Sequence, residues 1–225
     1  MSAEVGGDTV RKLQNGRVTL ALHQRKAGEG TPLLLLHELY GSSAGWATEV
    51  DAWPGPVFAL DFCGHGESAW MRGGSYHIEH FLSDADTALR EVGSAVLAGA
   101  GLGAWYGLML AGARAEQVPG SLLLPGRGLE GSGSQPDPLD TERRIPTEAQ
   151  AAAFDEGDCD PCCAGMEGDP RPPDFIEPFA TAARNVLLVD DGRAMPHWWR
   201  TVQDCGGQKV GADLVSGLAR LQAAV

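Results

Sequence analysis

Apolar residues in this chain gather in short runs. Leu33–Leu36, Val57–Leu60, Ala95–Ala98, Ser121–Leu124 and Val186–Val189 each show little or no alternation with polar positions. Such runs predict strands covered on both faces. Ahead of them, Val18, Leu20 and Leu22 alternate with Thr19, Ala21 and His23. Asn15-Gly16 separates this stretch, residues 17–24, from Val10–Leu13, which predicts an antiparallel hairpin. The exposed positions along the hairpin are basic, as suits a sheet edge. Between the runs the period lengthens to that of a helix. Phe81, Ala85, Ala88 and Val92 form one stripe, flanked by Leu82 and Leu89; Trp105–Ala115 is helix-compatible; Leu214, Val215, Leu218 and Leu221 form a third. Strands alternating with helices predict a mostly parallel, doubly wound sheet behind the hairpin.

Ligands of such sheets bind beyond the carboxyl ends of the strands. Those ends carry His37-Glu38-Leu39-Tyr40-Gly41-Ser42, Asp61–Ser68, a glycine-punctuated turn at Gly99, Gly101 and Gly103, then Pro125-Gly126-Arg127-Gly128, and Asp190-Asp191-Gly192. The turn joins a strand to a helix, and its glycines at every second position fit close packing of the helix start on the strand. Residues 131–174 form a cap-like or irregular insertion. Within it, Thr147-Glu-Ala-Gln150 reads as a capping box opening a helix up to about Asp155. Asp155–Asp174, acidic and rich in Gly and Pro, is expected to be irregular and the least ordered interior segment, with little apolar area to bury. The whole of 1–225 is expected to be one domain.

A net charge of −13 argues against nucleic acid and anionic membrane surfaces as partners. No apolar run reaches the roughly 18 residues of a membrane span. Met1–Asp8 lacks a basic-plus-apolar leader pattern, so a cytoplasmic location is the default expectation. The five cysteines, Cys63, Cys159, Cys162, Cys163 and Cys205, are odd in number and read as reduced thiols. Cys159-Asp-Pro-Cys162-Cys163 invites a metal reading, but no second Cys or His pair at ligand spacing lies nearby in sequence, so no metal is assigned and no cofactor is implied.

These motifs, in this order, resemble the α/β-hydrolase superfamily over about residues 10–200. Leu33–Ser42 resembles the strand and H-G-x-x-G-S loop that supplies one oxyanion N–H. Asp61-Phe-Cys-Gly64-His65-Gly66-Glu-Ser68 is similar to the D-x-x-G-H-G-x-S loop. Gly99-Ala100-Gly101-Leu102-Gly103 resembles the nucleophile elbow G-x-S-x-G. The resemblance implies an α/β fold with a mostly parallel doubly wound sheet, an N-terminal antiparallel hairpin and a short or degenerate cap. It also defines where this chain departs from the family. Gly101 stands at the nucleophile position. Asp190 or Asp191 takes the acid position by placement, or is simply a solvated pair at a strand end. The base should follow one more short strand, yet no histidine follows Asp204. His197 comes too early and reads as a packing residue beside Trp198 and Trp199. Glu38 replaces the glycine usual after the histidine, where a carboxylate opposes developing negative charge unless it points away or is protonated. The backbone N–H groups of Leu39 and Leu102 could still converge. His37 and His65 read as structural parts of their loops, and His77 and His80 as surface or core-edge residues.

Three functions remain open. In the first, the chain is a superfamily member without the Ser–His–Asp machinery. It binds a small apolar or carbonyl-bearing ligand, or a protein partner, in a remnant pocket formed by His37, Glu38, Tyr40, Ser42, Ala100 and Arg127. In the second it is an active hydrolase of ester or other acyl substrates with relocated residues: Ser42 or a water does the chemistry, and His37, His65 or His197 is the base. In the third it is a structural or regulatory subunit. Ligand identity and oligomeric state are not encoded in any motif of the sequence.

Overall fold

The computed structural model describes residues 9–46, 51–71, 76–131, 158–211 and 214–223. Eight strands form one sheet in the order β1-β2-β4-β3-β5-β6-β7-β8. β1 (Thr9–Asn15) and β2 (Val18–Lys26) make the antiparallel hairpin. Asn15 pairs with Val18, so the turn is Gly16-Arg17, one residue later than the Asn15-Gly16 pair of the sequence reading. Gly16, at φ +58°, supplies the first positive φ such a turn needs. β3 (Leu33–Leu36), β4 (Val57–Asp61), β5 (Val96–Ala100), β6 (Ser121–Leu124), β7 (Val186–Val189) and β8 (Gln208–Val210) run parallel, and β2 meets β4 antiparallel. All five continuous apolar runs are strands.

The two-residue period of the strands sorts the core into two layers. Leu34, Leu36, Leu60, Leu97, Leu123 and Leu188 face one, where α1 (Ile78–Val92), α2 (Leu102–Ala113), α3 (Pro173–Ala182) and α4 (His197–Asp204) contribute Phe81, Trp105, Ile176 and Trp198. Leu33, Leu35, Ala59, Val96 and Leu187 face the other, with Trp46, Trp53 and, from α5 (Leu214–Gln222), Leu218 and Leu221. Val215 departs from the expected stripe and lies exposed.

The insertion is partly corrected. Its capping-box helix, Thr147–Gln150 to Asp155, lies outside the described residues. From 158 onward part of the segment is regular: a 3-10 helix spans Pro161–Glu167, and the Asp160 carboxylate caps it by accepting from the Cys162 N–H at 2.9 Å, while residues 168–172 have no regular structure. Cys159, Cys163 and Met166 are buried. These side chains supply the apolar area that the acidic composition concealed. Among the described residues no helix is long and apolar enough to cross a membrane.

Candidate functional site

β5 delivers the chain to Gly101, which sits at φ +53°, ψ −116°, and α2 starts at the next residue. The glycines around it are set by backbone contacts. A Cβ on Gly103 would lie 2.6 Å from the His37 carbonyl oxygen, so only glycine lets α2 begin against the end of β3. A Cβ on Gly101 would overlap the carbonyl oxygen of Arg127 and lie 2.7 Å from the Gly126 carbonyl carbon. The volume in front of the elbow is therefore filled by the loop after β6.

That loop is held by both signs of hydrogen-bonding group. The Leu39 and Leu102 N–H groups do converge, and both donate to the Arg127 carbonyl oxygen, at 3.2 and 2.9 Å. The Glu38 carboxylate accepts the Arg127 N–H at 2.6 Å. The carboxylate that looked misplaced in the sequence is thus the clamp of the loop. Farther along, the Trp198 indole donates to the Leu129 carbonyl at 3.0 Å. The Arg127 side chain itself is exposed.

The remaining expected site residues are dispersed. Asp190 binds the Lys209 ammonium at 2.8 Å, which holds its carboxyl below the usual range, and Asp191 pairs with Arg193 at 2.6 Å. Both acid-position carboxylates thus face cations rather than a histidine. His197 is exposed at the start of α4 rather than packed, because the helix turns Trp198 and Trp199 inward and leaves its first residue outside. His37 and His65 are committed to backbone. His37 Nδ1 donates to the Glu38 carbonyl at 2.7 Å and its Nε2 accepts the Phe62 N–H at 3.0 Å, with burial lowering its pKa. His65 Nδ1 donates to the Cys63 carbonyl at 3.1 Å, and its Nε2 accepts the Tyr40 N–H at 3.3 Å. Ser42 caps a 3-10 turn, its Oγ accepting from the Ala44 N–H.

A cavity of about 270 Å³ lies beside the elbow, lined by His37, Glu38, Gly41, Ser42, Gly45, Trp46 and Ala100. Tyr40 and Arg127 do not line it. Tyr40 is turned into the core at φ +64°, and Arg127 edges a separate cavity with Leu129 and Arg193. The Trp46 indole N–H is buried and has no hydrogen-bond partner among the described residues.

Asp61 braces this end of the sheet. Its carboxylate binds His23 Nε2 at 3.0 Å and accepts the Ser43 and Glu67 N–H groups at 2.6 and 2.9 Å. Burial pushes the Asp61 carboxyl up, but His37 and those N–H groups carry it below its ordinary value. In the neighbouring loop, His65 meets Cys159 and Cys163, whose ligand atoms all lie within 4.8 Å of one another. The Cys163 thiol, with help from His65, lowers the Cys159 thiol to about 6 against the opposing effect of burial; burial pushes Cys163 up.

Sequence reasoning missed three features here: the Arg127 carbonyl, Trp46, and the pairing of His65 with the distant cysteines. Only the first left a legible signal, a residue flanked by Gly126 and Gly128 where backbone must approach backbone.

No protein-family model matches the sequence, and no curated protein matches it at the level of sequence. Solved structures do match. The thioesterase domain from the curacin biosynthetic pathway aligns at TM-score 0.70 and 16% identity, covering 97% of this chain and 96% of that one. E-2-(acetamidomethylene)succinate hydrolase aligns at 0.65 and 17%, covering 96% and 97%. The bottromycin epimerase aligns at 0.64 and 18%, covering 96% and 95%. At such identities the likeness is one of fold: the chain has the α/β-hydrolase fold.

Proposed function

We propose that this protein is a non-catalytic member of the fold that binds a small, carbonyl-bearing ligand in the cavity beside Trp46. One observation carries this reading. The Arg127 carbonyl oxygen takes up both N–H groups, of Leu39 and Leu102, that would otherwise stabilise an oxyanion, and it overlaps the place a nucleophilic side chain at 101 would need. Acyl transfer requires a nucleophile, a base and free donors at the developing charge. Here the first has no atom, the nearest histidines are bonded to backbone at both ring nitrogens, and the donors are already used. The cavity offers a buried indole N–H without a partner, which suits a ligand acceptor, within walls of mixed apolar and polar character.

The test pairs reactivity with binding. Fluorophosphonate probes are expected to leave the wild-type protein unlabelled, and a broad ester panel to show no turnover above buffer. Thermal-shift screening of small carbonyl compounds is expected to give binders whose shift is lost in Trp46→Phe. Stoichiometric labelling of the wild type would overturn the non-catalytic reading; binders indifferent to Trp46→Phe would remove the cavity assignment.

A further inference from the structure

His65, Cys159 and Cys163 form a second cluster at the same end of the sheet, of which the reading above uses only the backbone hydrogen bonds of His65. All three side chains are fully buried. They come from two segments about 90 residues apart, held in register by backbone. His65 and Cys159 form an antiparallel bridge, the Gly66 N–H donates to the Asp158 carbonyl at 2.7 Å, and the Asp160 N–H donates to the Gly64 carbonyl at 2.7 Å. Gly64 makes room for the sulfur, since a Cβ there would lie 2.8 Å from Cys163 Sγ. Asp160 fixes the turn between the cysteines, accepting from the Cys162 N–H and from the Tyr76 hydroxyl at 2.8 Å.

The orientation of His65 adds a separate indication. Its Nδ1 donates to a backbone carbonyl, which leaves Nε2 as the unprotonated nitrogen; metal-bound histidines are oriented in this way. The competing bond to Nε2, from the Tyr40 N–H, is long at 3.3 Å. Apart from one another and His65, the thiols have among the described residues only weak acceptors, the Asp160 carbonyl 3.5 Å from Cys159 Sγ and the Gly64 carbonyl 4.0 Å from Cys163 Sγ. Bonds of about 2.3 Å to sulfur and 2.0 Å to nitrogen at trigonal angles set ligand atoms roughly 3.7–4.0 Å apart. The cluster, within 4.8 Å throughout, closes onto such an ion with sub-ångström shifts.

We propose that His65, Cys159 and Cys163 bind one thiophilic d10 metal ion, Cu(I) or Zn(II), which staples the 158–168 segment to the loop after β4. Two sulfurs and one imidazole make a soft donor set. Three ligands satisfy Cu(I), whereas the charge of Zn(II) balances two thiolates; the two ions are therefore separate arms of one experiment. Ligation displaces the thiol protons to solvent. The proposal is independent of whether the elbow is catalytic.

The full chain, purified reduced and without added metal, is titrated with Cu(I) and with Zn(II) against chromophoric chelators specific for each. One ion per chain is expected in one arm or both, with a rise in melting temperature on binding. Cys159→Ser and Cys163→Ser should each weaken binding by at least about 100-fold, while Cys162→Ser and Cys205→Ser leave it unchanged. X-ray absorption on the loaded wild type reads the ligands without any variant and should give two sulfurs and one imidazole nitrogen. Absence of stoichiometric binding in both arms would overturn the proposal. So would sulfur ligation that survives both serine substitutions, or a thiol count in denaturant below the five cysteines of the chain under non-reducing conditions.

Discussion

The elbow and the cysteine cluster lie at the same end of one sheet and are built in opposite ways. At the elbow the two converging N–H groups and the loop that faces them meet their complements inside the chain. The Leu39 and Leu102 N–H groups meet a carbonyl, and the Arg127 N–H meets a carboxylate. In the cluster, three electron-pair donors are brought together, and among the described residues the groups that compete for them from outside the cluster are weak. Since a buried polar group without its complement costs free energy, a site that completes itself has no need of a substrate. A site that gathers donors alone has a use for a Lewis acid. By this criterion the N–H donors at the elbow are occupied, whereas His65, within the Asp61–Ser68 loop, gathers donor atoms together with Cys159 and Cys163.

The most severe way to break the contrast is to place a side chain at the elbow. Gly101→Ser combines a positive φ with overlap on the Arg127 carbonyl, and should lower unfolding free energy by about 3 kcal/mol in denaturant titration without producing esterase activity. A variant as stable as wild type would mean that the loop yields easily. Strong activity would mean that a working base exists.

Asp61 ties the two regions together, holding Ser43 on one side and Glu67 on the other. Asp61→Asn should cost about 2 kcal/mol at neutral pH, since it removes the charge behind three hydrogen bonds. The folded-state pKa of Asp61 lies below its ordinary value, so its ionised form stabilises the fold above about pH 4 and that contribution is lost as pH falls through the folded value. Asp84, whose pKa burial raises, acts with the opposite sign and is relieved by acid. Comparing unfolding free energies of wild type and Asp61→Asn from pH 7 to about pH 2 should show the difference shrinking at the acid end. A constant difference would remove Asp61 from the acid limb.

A smaller change should come from the clamp. Glu38→Gly, which restores the residue usual in the resembling loops, removes the acceptor of the Arg127 N–H and should cost about 1–2 kcal/mol. Amide exchange at 126–128 should rise with it. The smallest effect is expected at Arg127→Ala, within about 0.5 kcal/mol of wild type, because only the backbone of this residue is used. A large loss there would give the guanidinium a role that its exposure does not reveal.

How much of this was legible beforehand follows from the range of the interactions. The strands at Leu33–Leu36, Ser121–Leu124 and Val186–Val189 agree residue for residue, because a short apolar run declares its own burial. Local backbone demands were legible too: glycines at 99, 101 and 103 announced a tight strand–helix turn. In the acidic Asp155–Asp174 segment the 3-10 helix at Pro161–Glu167 was not legible, because composition averages over residues while burial selects individual ones such as Cys163 and Met166. Val215 and His197 were misplaced by about one helical position, since a stripe gives a face but not its edges.

The sequence by itself determined the sheet, the hairpin and the absence of a side chain at position 101, all properties of single residues or of short periods. Only the tertiary structure decided what occupies the space that glycine leaves, what Glu38 is for, and which residue joins Cys159 and Cys163. Each of those depends on contacts between segments tens of residues apart. The atoms involved are often backbone carbonyls and N–H groups, which every residue carries and which no side-chain pattern can flag.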